Sequence, residues 1–151
     1  MTRPHERHDS RHRAREAALQ MLYQWEIGGA SVDDVIESYW SEADRDLPSA
    51  SREFADTLMR GVVTHHETID PLIADAAEHW RLERMAVIDR LIMRLAVEEL
   101  VHHPHTPASV VIDEALELTR TFSTEDAVKF VNGNLDAIRR RLPNGVNPVE
   151  V

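Results

Sequence analysis

One stretch of this sequence limits the choice of fold more than any other. Between about Arg84 and Val101, the apolar residues Val87, Ile88, Leu91, Ile92, Leu95 and Leu100 recur at helical spacings. They form the widest apolar face in the chain, so this helix is expected at the centre of a helical bundle. No segment alternates with period two for long enough to make a strand. Val110-Val111-Ile112 is β-branched but sits inside a helical period.

The rest of the chain repeats the pattern. Ala14, Ala18, Met21, Leu22 and Trp25 make one stripe between Ser10 and Ile27, which Gly28-Gly29 ends. Ser31 is placed to cap a short second helix from Val32 to about Ala43, with Asp33 and Asp34 in its first turn. Pro48-Ser49 opens a third helix with the stripe Phe54, Leu58, Val62, His65 and Ile69. Asp70-Pro71 reads as a break and restart, with Asp70 as N-cap and Pro71 at the first helical position. A short fourth helix then runs to about Trp80, turning Ile73, Ala76, Ala77 and Trp80 inward. After the central helix, Thr106-Pro107 starts a sixth through Val111, Ala115 and Leu118. Ser123 to Asp126 resembles a capping box before a seventh, which carries Ala127, Val131, Leu135 and Ile138. The expected architecture is all-α, about seven helices in two packed bundles, the first over residues 10–70 and the second over 71–141. Residues 1–9 read as a flexible basic arm and 142–151 as a loose tail.

Composition narrows the function. The chain has 151 residues, one domain's worth, and 42% of them are hydrophobic, which excludes a disordered tail protein. It has no Cys, so disulfides, thiolate metal sites and cysteine nucleophiles are excluded. No apolar run approaches the roughly 20 residues needed to span a bilayer, and the polar start lacks a signal-peptide core. A cytoplasmic, membrane-free protein is the expectation. The net charge of −10 is unevenly spread: residues 1–15 hold five Arg against Glu6 and Asp9, or +3, which leaves −13 for the remainder. All but one of the 17 basic residues are Arg, which suits phosphates and bases better than Lys does.

Four groups of residues could carry chemistry. Arg11, Arg13 and Arg15 enter the first helix at its N-terminus, where basic residues oppose the helix dipole, so a phosphate-binding strip is favoured over a solvated helix start. Tyr23, two turns further on, could add a stacking surface. His102-His103-Pro104-His105 and the single Glu99-x-x-His102 could suggest a metal. Di-iron bundles need that motif twice, so a solvated loop is the expectation, with no cofactor. His65-His66 reads as one partly buried ring and one exposed. The carboxylates Asp89, Glu98, Glu99, Asp113 and Glu114 lack a nucleophile or phosphate loop beside them, which argues against an enzyme. Gly133, inside the last helix, suggests close approach by another helix, and Asn132 beside it would need partners if buried. Lys129, the one lysine, stands on the first turns of the same helix.

Three segments in register resemble the NusB family of bacterial transcription antitermination factors. They are Arg13 to Trp25, Ile88 to Leu100, and Ile112 to Leu118 with Phe122, Glu125-Asp126 and Lys129 to Gly133. The resemblance runs from about Ser10 to Arg141. It implies two helical bundles and binding of boxA RNA in ribosomal RNA leader transcripts, together with the ribosomal protein NusE. The pair would join RNA polymerase and other Nus factors in an antitermination complex. Carried over, Arg11, Arg13 and Arg15 match the arginine-rich RNA-binding start. Phe122, Asp126, Lys129 and Phe130 match a second RNA-facing region, and Asp89 and Arg90 match the surface where NusE docks. His12 interrupts the arginine run. The family includes monomers and homodimers, so a homodimer stays open.

Two other readings compete. The first is a helical scaffold that binds only protein. The second is the NusB-like accessory domain of a ribosomal RNA methyltransferase, although no methyltransferase domain follows and no Cys is present to attack a base.

Overall fold

The computed structural model describes residues 4–42, 47–77 and 81–143, and for residues 4–9 the backbone alone. Among them are six α-helices: α1 Pro4–Gly28, α2 Val32–Ser41, α3 Ser49–Ala77, α4 Val87–His102, α5 Ala108–Phe122 and α6 Glu125–Arg141. A 3-10 turn, Leu82–Arg84, precedes α4, and no described residue is in a strand. No helix among them is long and apolar enough to cross a membrane. The expected inward turn of Trp80, the side chains of Arg3 and Arg7, and the tail beyond residue 143 lie outside the described residues.

The chain forms two compact units, residues 1–63 and 64–151. In the first, α1 packs on α2, and the core is built from Ala14, Ala18, Leu19, Met21 and Leu22 of α1, Val35, Ile36 and Tyr39 of α2, and Leu58, Met59 and Val62 of α3. Ser31 caps α2 by accepting the Asp34 N–H at 3.1 Å, and the Tyr39 hydroxyl donates to the Gln20 side chain. Gly29 takes the left-handed conformation that ends α1, at φ 74°.

In the second unit, α4, α5 and α6 pack on one another. Every residue of α4 from Leu91 to Leu100 is buried, as expected of a central helix. Arg94, Glu98 and Glu99 are among them, so α4 takes charge into the core as well as apolar surface. Thr124, rather than Ser123, caps α6, accepting the Ala127 N–H at 3.1 Å. The structure buries Asn134 and leaves Asn132 exposed, and the Asn134 amide donates to the Ile73 carbonyl at 3.2 Å.

Two expectations are overturned. Asp70-Pro71 does not break the chain, because α3 runs unbroken from Ser49 to Ala77 with Pro71 inside it. The expected third and fourth helices are therefore one. A proline in a helix interior costs about 3 kcal/mol, and tertiary contacts offset that here. Ile69 and Ile73 on either side are buried, and Asp70 is held by Arg94 of α4 rather than folding back as a cap. Gly133 does not meet another helix: it is exposed, and a Cβ placed there would find nothing within 4 Å.

Candidate nucleic-acid interface

The expected RNA-binding residues fall into one group on each unit. On α1, Arg11 and Arg15 are four residues apart and share a face. Both guanidinium groups lie over the ring of Phe54 on α3, at 4.0 Å for Arg11 and 5.3 Å for Arg15. These are cation–π distances. Arg11 is exposed, whereas Arg15 is only 5% exposed, its stem lying in the core. Arg13, two residues from each, projects from a different side of α1 and is exposed. Tyr23 is 44% exposed and falls between Arg13 and Arg15 around the helix. His12, which interrupts the arginine run, faces Glu16 at 3.4 Å. The strip therefore has two accessible arginines and an accessible ring, with Arg15 beneath.

Phe54 is the member of this group that sequence reasoning misses. It looks like the first position of an apolar stripe, and nothing in local spacing links it to α1, which ends at Gly28. A ring only half-buried at the end of a stripe is the trace it leaves.

The second group gathers where α5 meets α6. Phe122 is the last residue of α5 and half-buried. Asp126, Lys129, Phe130 and Gly133 follow the three- and four-residue spacing of one helical face on α6. Asp126, Lys129 and Gly133 are exposed and Phe130 is half-buried. Since no side chain at Gly133 covers the backbone, this face offers an acceptor, a cation, a ring edge and bare backbone in succession. Arg139 and Arg140, further along α6, are paired with Asp136 at 2.7 and 2.9 Å, which reduces the charge they offer elsewhere.

Asp89 and Arg90 open α4, and both are half-buried. Asp89 accepts the hydroxyl of Ser123, the residue that closes α5, at 2.6 Å. Arg90 donates to the Leu82 carbonyl at 3.3 Å. Both residues thus help join α4 to its neighbours.

A profile of the NusB family matches residues 12–140. The chain belongs to the NusB family. The transcription antitermination protein NusB of Solibacter usitatus is 48% identical over 89% of this chain and 91% of its own. Among solved structures, NusB from T. maritima superposes with a TM-score of 0.78, at 34% identity, covering 93% of this chain and 94% of that one. A crystal structure of the antitermination factors NusB and NusE in complex with double-stranded RNA matches with a TM-score of 0.79, at 28% identity, over 89% of this chain and 98% of the other. The NusB match contains both groups of residues described above except Arg11, which lies one residue before it.

Proposed function

We propose that this chain is a noncatalytic RNA-binding antitermination factor that takes boxA RNA of ribosomal RNA leader transcripts together with NusE. The observation that carries this reading is the match, over nearly the whole chain, to a NusB solved with NusE and RNA. The two groups of residues supply what single-stranded RNA binding needs, local cations beside rings that bases can stack on. Arg11 and Arg13 meet phosphates and Tyr23 offers a face. Arg15 acts as a positioning residue, holding Phe54 under Arg11. On α6, Lys129 neutralises a phosphate, Phe130 and Phe122 stack, and Asp126 accepts from base amino groups. Asp89 and Arg90 mark the docking side for NusE, and the assembled pair enters the antitermination complex with RNA polymerase and other Nus factors. The setting is the cytoplasm, where those transcripts are made.

Charge explains why a partner is required. Outside residues 1–15 the chain carries −13, and RNA is a polyanion. A basic ribosomal protein docked on this acidic body extends the cationic surface. Saturating NusE is therefore expected to tighten boxA binding at least about tenfold, a coupling of roughly 1.4 kcal/mol. Fluorescence anisotropy at fixed salt, with and without NusE, measures it, and equal affinities would defeat the reading. Changing Arg11 and Arg13 to Ala is expected to flatten the salt dependence by up to ~0.7 log units for each phosphate no longer neutralised.

A further inference from the structure

The second unit holds a group of side chains that RNA binding does not use. His65 of α3 and Glu98 and His102 of α4 converge, with one ligand atom from each lying within 4.8 Å of the others. His65 Nδ1 is 2.8 Å from Glu98 Oε1, and His102 Nε2 is 3.9 Å from the same oxygen. The two imidazole rings stack, with centroids 3.9 Å apart and planes 18° from parallel. His103 Nε2 stands 4.0 Å from the other carboxylate oxygen. Glu98 and His102 are one helical turn apart, so α4 presents both on one face, and α3 brings His65 to it.

Glu98 is 2% exposed. A buried carboxylate is costly unless it is paired or bound to a metal. Arg94, one turn earlier, is already engaged with Asp70 through two hydrogen bonds of 2.8 Å. The polar groups that face Glu98 among the described residues are the three imidazoles. A divalent cation would answer the carboxylate's charge and take a lone pair from each of two rings at once.

We propose that His65, Glu98 and His102 form a binding site for a divalent transition metal of the zinc type, fastening α3 to α4 within the second unit. Two imidazoles and a carboxylate suit zinc better than magnesium or calcium, which prefer all-oxygen shells. Zinc bonds of about 2.0–2.2 Å place tetrahedral ligand atoms roughly 3.3 Å apart. The observed separations need adjustments of about an ångström to reach that. The two rings can make them, since their side chains are 35% and 38% exposed. Three protein ligands leave a fourth position for water or for His103. The motif visible in the sequence, Glu99-x-x-His102, points to the neighbouring carboxylate. The one that faces the rings is Glu98.

The test uses full-length, untagged protein stripped with a chelator and titrated with Zn²⁺ alone by calorimetry. One ion per chain is expected to bind, and the melting temperature to rise with Zn²⁺ concentration. Co²⁺ in place of Zn²⁺ is expected to show tetrahedral d–d absorption. His102→Ala, which removes an exposed ring and leaves Glu98 in place, is expected to weaken Zn²⁺ binding at least about tenfold. His65→Ala is expected to do the same, and Glu98→Gln to abolish the Co²⁺ spectrum. Replacing His5, His8 and His12 together, or His105, by Ala is expected to leave binding unchanged. The proposal is overturned if the parent takes up no Zn²⁺ saturably. It is also overturned if the His65→Ala, His102→Ala double variant binds as tightly as the parent, or if binding disappears with the N-terminal histidines instead.

Discussion

The two units set different groups against their buried arginines. In residues 1–63 three of the described arginines lie against rings: Arg11 and Arg15 over Phe54, and Arg52 at 4.9 Å from the Trp40 ring, whose indole donates to Asp56 at 2.7 Å. An ion pair there, Arg60 with Asp33 at 2.7 Å, lies at the surface. In residues 64–151 the main device is ionic. Arg94 grips Asp70 with both arms of its fork, and imidazoles surround Glu98. The buried arginines Arg15 and Arg94, 5% and 9% exposed, show the contrast. A planar guanidinium matched to a carboxylate is directional and strong. A guanidinium over a ring is weaker, but the ring carries no charge of its own to strand if the cation leaves. A cation that must stay available to a ligand is better held the second way.

The largest expected effect comes from breaking the ionic device. Arg94→Ala leaves Asp70 without its partner, and removing one member of a buried pair costs about 3–5 kcal/mol. Asp70 keeps a 23% exposed side chain, so about 3 kcal/mol is expected, measured by urea unfolding. Adding Asp70→Leu to Arg94→Leu is expected to recover much of that loss. If it does not, the pair matters for more than its charges.

Next is the aromatic device. Arg15→Ala is expected to cost about 1–2 kcal/mol, through the packing of its stem and the ring of Phe54. A double-mutant cycle with Phe54→Leu isolates the cation–π part, expected at about 0.5–1 kcal/mol. Arg13→Ala, at an exposed position, is expected to cost less stability than Arg15→Ala while weakening RNA binding. Equal losses of stability from Arg13→Ala and Arg15→Ala would erase the distinction between a residue that touches RNA and a positioning one.

Gly133, on the exposed face of α6, tests a place where neither device operates. Gly133→Ala is expected to raise stability by about 1 kcal/mol through helix propensity alone, since nothing lies in its way. A destabilised variant would show that the face is covered.

The smallest effect belongs to Asp56. Burial pushes its carboxyl above the ordinary aspartate range, outweighing the Trp40 hydrogen bond and the nearby Arg60 and Arg52, which pull it down. The folded state therefore holds the proton more tightly than the unfolded chain does, and stability falls as pH rises from the ordinary aspartate value through the raised one. Asp56→Asn is expected to remove that slope. It is also expected to stabilise at neutral pH by about a few tenths of a kcal/mol, which is what solvent screening leaves. Melting curves across the acid range measure both, and an unchanged slope would show that Asp56 does not carry the proton responsible.

Much of the fold is readable in the sequence because its causes are local. The α4 stripe, the Ser31 cap and the Gly28-Gly29 stop act within a few residues, and each helix they imply is present. Pro71 misleads for the same reason. Locally it is a breaker, but the contacts around it are distant in sequence: Ile69 and Ile73 are buried, and Asp70 is held by Arg94, 24 residues away on another helix. Gly133 misleads in the opposite direction, since a glycine within a helix signals either contact or open space, and propensity does not distinguish them. The arginine strip is legible, but the burial of Arg15 is not, because Phe54 reaches it from a different helix.

By itself, the sequence determined the all-helical class, most helix ends, the uneven charge and the family. Periodicity, capping, charge and shared motifs are all properties of residues near one another in the chain. Only the tertiary structure decided which charges are covered and by what: Arg15 by an aromatic ring, Arg94 by Asp70, Glu98 by histidines from two helices. Burial of a charge depends on groups brought in from distant parts of the chain, and the cost of leaving it unmatched is what makes their identity matter.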